Sequence, residues 1–462
     1  MTKKNLLLIV SVGVALLIGL GVALCSRSQS DDCSVALPED ATLVGRINAK
    51  EWVEQNGLSL ADLKDFVLSP DESGVDYGRT AYVFAFQSYF GAVVPLTDKD
   101  DFFEKTSLYH SEVEEQRGLS WATFNESFLC VADGNKAMLI GPATKSEQDA
   151  LRNTLYSCMT EGGGGQSNEL FKQLTVRTEP VAIAASLDAV PAQYLNWLTN
   201  VLPEDVGVTD FTLCAGLSTH KNQLTLSAHL LAEGKKASSF LSEVDGVMKP
   251  IDASLCSQSP SNPFLRLEMG LCGSKLIELL RKNPDMRTKM LGANMIFDLD
   301  MILKSIDGEV QLTMPKFSPF KQPLLLQANL TDDAFMKNVS SWNEGASESA
   351  GVKFLPARND CYLCAYNGQV CYFGVREKRL FAANEEQYTI PQDNTAHQPA
   401  DEEKGNKVYA VLDMTSLTDM LDFLPDGLKD MQRMTLSSKT ASEWTLTLTA
   451  SEGTDLLESI IK

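Results

Sequence analysis

Val181-Ala-Ile-Ala-Ala-Ser-Leu-Asp188 and Lys407-Val-Tyr-Ala-Val-Leu-Asp413 follow one plan. Each is a run of small and β-branched residues, as a strand requires, and each stops at Leu-Asp. An amphipathic helix pattern follows, through Tyr194, Leu195 and Leu198 in the first case and Leu417, Met420 and Leu421 in the second. Asp188 and Asp413 read as caps of those helices, a role worth about 1 kcal/mol.

Working outward, further blocks recur in the same order. Pro38–Gly57 reads as a strand over Leu43–Ile47 and a helix start, and Asn262–Asn283 repeats that plan. Strands are predicted over Thr80–Gln87 and Glu309–Met314, each after a turn-rich stretch. Gly91–Leu96 and Pro323–Leu330 each end at Leu-Thr-Asp, where Thr or Asp can cap the next helix, over Asp98–Lys105 and Asp332–Val339. Phe128–Ile140 aligns without gaps on Tyr362–Gly374, which sets Asp133-Gly134 on Asn367-Gly368. Both dipeptides are hairpin signals, because both central residues must reach positive φ. Each half closes with an alternating strand and a helix: Gln223–Ala228 with Ser239–Val244, and Trp444–Thr449 with Thr454–Ile461. The flexible pieces 161–167 and 385–405 also fall at corresponding places.

Recurrence on this scale predicts an internal duplication. The fold class is α+β: two tandem similar modules, over 36–258 and 261–462, joined by Cys256-Ser-Gln-Ser-Pro-Ser-Asn-Pro263. Each is expected to hold a mostly antiparallel sheet covered by helices on one face.

Residues 1–35 are a signal or anchor segment and tether. Lys3 and Lys4 precede an apolar run from Leu6 to Leu24, and small polar residues follow. At 1.5 Å per residue that run just reaches across a bilayer core of roughly 30 Å. Three routes compete. Cys25 is acylated after cleavage, although Leu24 stands where Gly, Ala or Ser is usual; or the run stays as a single-span anchor with its lysines inside; or it is cleaved and the chain released. All three put the remaining chain outside the cytoplasm.

Composition excludes several classes. A hydrophobic fraction of 44% with 22% charged residues fits a globular chain rather than a disordered or multi-span one. A net charge of −21 repels phosphate backbones, so nucleic acid is not an expected partner.

The acidic, Cys-bearing N-terminus, Pro38-Glu-Asp-Ala-Thr-Leu-Val-Gly-Arg-Ile-Asn48, Glu72-Ser-Gly-Val-Asp76 with Tyr82-Val-Phe84, and Ile306-Asp-Gly-Glu309 carry a resemblance. Over most of its length after residue 35 the chain resembles domain of unknown function 4836, found among envelope lipoproteins of Bacteroidota-type bacteria. The resemblance implies export and a duplicated α+β body. It offers no catalytic residues.

Little in the sequence supports chemistry. Cys130, Cys214, Cys272, Cys361, Cys364 and Cys371 lie in apolar strand-like runs, where buried thiols are usual. Cys361, Cys364 and Cys371 have the look of zinc ligands but lack a nearby fourth. A two-residue turn at Asn367-Gly368 sets Cys364 opposite Cys371, which leaves a strained cross-strand disulfide and a reduced pair both open. His110, His220, His229 and His397 form no HExxH pattern, and no GxSxG or GxxxxGK[ST] is present. Glu114-Glu115, Asp332-Asp333 and Glu402-Glu403 read as solvated surface, since adjacent residues do not face each other. No cofactor, metal or catalytic residue is expected. The expectation is a non-enzymatic binding or scaffolding protein of the cell envelope, an outer-membrane lipoprotein or single-span anchored chain, with an envelope protein or glycan as partner. An envelope hydrolase with carboxylates in a cleft between the modules is the alternative, and assembly through an exposed sheet edge a third reading.

Overall fold

Leu43–Ile47 and Ala81–Phe86 pair antiparallel, Val44 opposite Phe84, and every other strand adds to this pair in the same sense. The computed structural model describes residues 33–56, 73–255, 260, 262–318, 321–344, 350–358, 360–390, 403–415, 430–454 and 456. The strands are β1 (Leu43–Ile47), β2 (Ala81–Phe86), β3 (Tyr89–Pro95), β4 (Glu114–Gln116), β5 (Leu119–Phe124), β6 (Phe128–Ala132), β7 (Lys136–Gly141), β8 (Val181–Ser186), β9 (Phe211–His220) and β10 (Gln223–Ala232). After them come β11 (Met248–Lys249), β12 (Leu265–Cys272), β13 (Ile306–Met314), β14 (Leu325–Leu330), β15 (Lys353–Pro356), β16 (Tyr362–Tyr366), β17 (Gln369–Arg376), β18 (Arg379–Ala383), β19 (Val408–Asp413), β20 (Met431–Ser438) and β21 (Glu443–Ala450).

These form one 21-stranded antiparallel sheet. Across it the order is β4-β5-β6-β7-β3-β2-β1-β8-β9-β10, then β21-β20-β19-β12-β13-β14-β18-β17-β16-β15. β11 joins β12 beyond the end of β19. The two edges are short. β4 is Glu-Glu-Gln, fully exposed, and β15 ends in Pro356, which has no N–H to offer. Such edges resist pairing with another chain, against the reading of assembly through a sheet edge.

The helices are α1 (Ala49–Gln55), α2 (Lys99–Lys105), α3 (Lys145–Ser157), α4 (Glu169–Thr175), α5 (Ala192–Thr199), α6 (Gly234–Val247), α7 (Gly273–Leu280), α8 (Pro284–Asn294) and α9 (Leu299–Ser305). Local chemistry starts them. Asn48 accepts from Glu51 N at 3.0 Å, and Asp98, of the Leu-Thr-Asp signal, accepts from Asp100 N and Asp101 N. Asp332 of the second Leu-Thr-Asp accepts from Ala334 N at 3.0 Å, but the element it starts is the 3-10 helix Ala334–Asn343. Among the described residues no helix is long and apolar enough to cross a membrane.

Helices cover both faces of the sheet in the first half, not one. Leu151 and Leu155 of α3 and Leu170 and Leu174 of α4 pack on Val44, Phe84, Val93 and Met138. Trp52 and Val53 of α1 and Phe102 and Phe103 of α2 pack on Val94, Cys130, Ala132 and Ala137 on the opposite face. The physical reason is visible in β6 (FLCVA) and β7 (KAMLIG), which are buried at consecutive positions rather than alternately. Small residues line the second face and leave room for the aromatic side chains.

A third core runs through the middle of the chain. Leu195, Leu198 and Phe240 share it with Leu271, Ile306, Phe335, Val339 and Trp342. One hydrophobic cluster therefore spans residues on both sides of the 256–263 join.

Three local expectations are corrected. The β6–β7 turn is Gly134-Asn135, not Asp133-Gly134, because Asp133 accepts from Asn135 N at 2.7 Å and Lys136 N at 2.9 Å and moves the turn one residue on. Counted inward from the two edges, β16–β17 take the places of β5–β6, whereas Phe128–Ile140 is β6–β7, so the gap-free match of Phe128–Ile140 to Tyr362–Gly374 does not join strands at matching places in the order. Asp188 does not cap: it is exposed in a 3-10 turn, and Pro191 takes the N-cap of α5. Asp413 accepts from Thr415 N at 3.0 Å and Thr415 Oγ1 at 2.6 Å; the helix expected after it, through Leu417, Met420 and Leu421, lies outside the described residues.

Candidate functional site

An acidic cleft opens where α8 turns into α9. Asn283 caps α8 by accepting from Met286 N at 3.0 Å, and Pro284 supplies the first helical residue. Asn294 then fixes the turn: its Oδ1 accepts from Asp300 N at 3.0 Å, and its Nδ2 donates to Met290 O at 2.9 Å and Asp300 Oδ1 at 3.1 Å. The resulting concavity of about 340 Å³ is lined by Asn294, Asp298, Asp300, Met301, Lys304, Ser305 and Asp332. Each carboxylate already holds a donor. Asp298 accepts from Asn338 Nδ2 at 2.7 Å and Trp342 Nε1 at 3.2 Å, and Asp300 pairs with Arg281. Ser305 donates to Ile302 O at 2.7 Å. The cleft is an acidic surface held in shape by its own hydrogen bonds, not a set of groups aimed at a reacting atom.

A second constellation lies where β11 continues into a strap over the sheet. Gly270 makes the crossing feasible, because a Cβ there would stand 2.0 Å from Lys249 O. The strap is clipped to Asn406 O by Ile251 N at 2.7 Å and gripped by Glu309 of β13. Glu309 is 2% exposed. It accepts from Ala253 N, from Ser254 Oγ at 2.9 Å and from Leu255 N at 3.0 Å. Ala253 holds φ at +61°, a left-handed conformation uncommon for a residue with a Cβ. Burial pushes the Glu309 pKa up, and the neighbouring Asp252 adds to the rise. Burial also works to raise Asp252, but hydrogen bonds from Glu309 and Ser254 outweigh it and leave Asp252 below its ordinary value. The two carboxyls are thus pushed in opposite directions, Glu309 up and Asp252 down.

Beside this strap the same face of the sheet carries a buried polar row. Glu268 stands between Tyr409 and Gln311, and Gln311 stands opposite Gln327. Arg266 bonds to Glu403 and approaches Glu268 Oε1 at 3.4 Å, while Gln311 Nε2 donates to Glu268. Arg266, Glu268 and Glu403 are each 1–2% exposed. Charges this deep are tolerated only when paired and hydrogen-bonded.

Comparison with known proteins identifies a family. The family model described as domain of unknown function (DUF4836) matches residues 37–440. The chain belongs to this family. No curated protein matches this DUF4836 chain. Solved structures similar to it include crystal forms III and I of TP0453, each 13% identical and covering 48% of the chain, at TM-scores of 0.29 and 0.27. They are covered over 90% and 88% of their own length.

The residues singled out from the sequence fall in different places of the DUF4836 fold. Cys25 lies outside the described residues. Cys364 and Cys371 stand opposite each other in β16 and β17, both as thiols. Cys130, Cys158 and Cys214 are buried; burial raises the Cys158 thiol to about 11. Among the described residues no cluster of His, Cys, Asp and Glu could hold a metal ion. Asp332, read as solvated surface, lines the cleft. Glu268 and Glu309 were missed, although their signal is present: in Leu265-Arg-Leu-Glu-Met269 and Glu309-Val-Gln-Leu-Thr313 polar residues alternate with apolar ones. Such alternation is ordinarily one wet face, and here that face is covered.

Proposed function

We propose that this chain is a non-enzymatic binding or scaffolding component of the cell envelope, tethered to a membrane by its N-terminal segment. The observation that carries the reading is the unbroken sheet, which makes a single broad platform of the whole body. Its strand order supports descent from one duplicated unit. Ten strands read outward from β10, and the corresponding ten read outward from β21 in the same connectivity. On this reading the modules span 36–258 and 261–462, and β11 with its strap reaches across from the first to the second.

The engaged state of the carboxylates supports binding over catalysis. A hydrolase would need two convergent acids available to substrate. Asp252 and Glu309 converge, but Glu309 is occupied by three strap donors. The acidic cleft suits a cationic group on an envelope protein or glycan partner, and the net charge of −21 argues against nucleic acid. The leader, with Lys3, Lys4 and Cys25, supports export and anchoring by lipid or by a single span.

Fractionation of cells producing the full chain, with palmitate labelling and intact-mass analysis with and without globomycin, tests the assignment. Recovery in the envelope is expected, with label on the Cys25 form lost in Cys25→Ala. An envelope chain retaining Met1 and no label would replace lipid by the single-span anchor. Recovery in the cytoplasmic fraction would overturn the proposal.

A further inference from the structure

Cys364 and Cys371 occupy one rung of the β16–β17 hairpin. The rung is fixed by the turn. Asn367 and Gly368 hold φ at +47° and +77°, the two-residue geometry in which Tyr366 and Gln369 close the loop. Counting outward, Tyr366–Gln369 is a hydrogen-bonded pair, Ala365–Val370 is not, and Cys364–Cys371 is again hydrogen-bonded. The Cα atoms of such a pair are about 5.5 Å apart, inside the roughly 4.4–6.8 Å range of disulfides. The next rung on the same face is Tyr362–Phe373, whose rings stack with centroids 5.8 Å apart and hold the two strands in this register. Both thiols are half-buried, whereas Cys361 is buried in a separate cluster with Leu325 and Phe381 and receives Arg376 Nη2 at 3.7 Å.

We propose that Cys364 and Cys371 are a reversible cross-strand disulfide site that exchanges with a disulfide-bearing oxidant. One thiolate attacks a sulfur of the oxidant and expels its first thiolate, leaving a mixed disulfide on the chain. The second cysteine attacks the chain's own sulfur and expels the second thiolate. The two protons lost by the cysteines end on the two thiols released, so the chain is oxidised by two electrons and the oxidant is reduced by two. A hydrogen-bonded rung has the wider Cβ separation, about 4.5–5.5 Å between opposed residues, against roughly 3.5–4.5 Å in a disulfide. The bond therefore draws the strands together and is readily reduced, which makes it a responsive link rather than a permanent brace. Burial raises both thiols, and the nearby charge of Cys364 raises Cys371 further. Closure therefore speeds up as pH rises, because the thiolate is the attacking species.

The test uses the folded chain with oxidised glutathione as probe, followed by alkylation in denaturant and tryptic digestion without reduction. Peptide 359–376 carries all three cysteines. One alkyl group on it, located at Cys361, is expected, with the mass lower by two thiol hydrogens, and dithiothreitol should restore three alkyl groups while the chain stays folded. Cys364→Ser should instead retain glutathione at Cys371. Three alkyl groups after oxidation, a bridge that includes Cys361, stable glutathione on both residues of the natural sequence, or a bridge that resists reduction until the chain unfolds would each overturn the proposal. The assay is independent of where the chain resides, so its failure leaves the envelope assignment untouched.

Discussion

Leu226 of β10 stands directly opposite Leu446 of β21, at the junction where the two runs of ten strands meet. Their neighbours follow the same logic. Leu224 faces Leu448 and Ala228 faces Trp444 on one side of the sheet, while Thr225 faces Thr447 and Ser227 faces Thr445 on the other. Apolar meets apolar and hydroxyl meets hydroxyl in a register that a one-residue slip would destroy. Cross-strand pairs of this kind contribute roughly 0.2–1 kcal/mol each. The junction is therefore an ordinary stretch of sheet that joins the two runs of strands without a break.

Replacing Glu309 by Ala should release the strap. Ala253 N, Ser254 Oγ and Leu255 N lose their shared acceptor, a loss of about 1–3 kcal/mol readable in urea unfolding. The pH dependence has a definite sign. The Glu309 pKa is raised in the folded chain by burial and by Asp252, so its contribution is full below the ordinary carboxylate range and is lost as pH rises through the raised value. Glu309→Gln should remove that slope. A slope unchanged in the variant would assign it to other groups.

Gly270→Ala should displace β11, since the new Cβ would meet the Lys249 carbonyl at 2.0 Å. The expected loss is about 1–3 kcal/mol, as for overpacking elsewhere, with faster hydrogen exchange at Ile251 and Leu255. Gly292→Ala is the control. Its Cβ meets nothing within 4 Å inside α8, so that change should stabilise by roughly 0.5–1 kcal/mol.

Glu179 predicts the opposite pH behaviour. Burial acts to raise it, but hydrogen bonds from Ser227 and the charge of Arg177 hold it below its ordinary value. Its contribution is present above that value and disappears as pH falls through the lowered one. Acid unfolding of Glu179→Gln should therefore be flatter than that of the natural sequence below about pH 4. An identical acid limb would show that the Arg177–Glu179–Ser227 contact does not couple to folding.

Much of the strand layout was legible because its signals are local. Leu43–Ile47 and Val408–Asp413 are strands over the predicted residues, and Asp98 and Asp332 act where Leu-Thr-Asp indicated. Asn367-Gly368 set the β16–β17 register, and with it the cysteine rung. What failed depended on tertiary contacts. The second helix layer rests on Ala122, Cys130, Ala132 and Ala137, residues too small to announce a buried face. The strap joins β12 through backbone groups that every residue carries, so Met248-Lys249 bore no mark of it. Glu268 and Glu309 looked like wet-face residues because nothing in their own strands tells what covers them. The acidic cleft was invisible for the same reason: Asp298, Asp300 and Asp332 come together only when α9 packs beside the end of β14.

The β10–β21 junction gives the most direct test of the single-platform account. Leu226→Cys with Leu446→Cys, oxidised in the folded chain and mapped by non-reducing digestion, should yield a cross-link between the peptides carrying positions 226 and 446. The out-of-register pair Leu224→Cys with Leu446→Cys should give markedly less. Full alkylation at 226 and 446, or stronger linkage in the out-of-register pair, would contradict a continuous sheet through both halves.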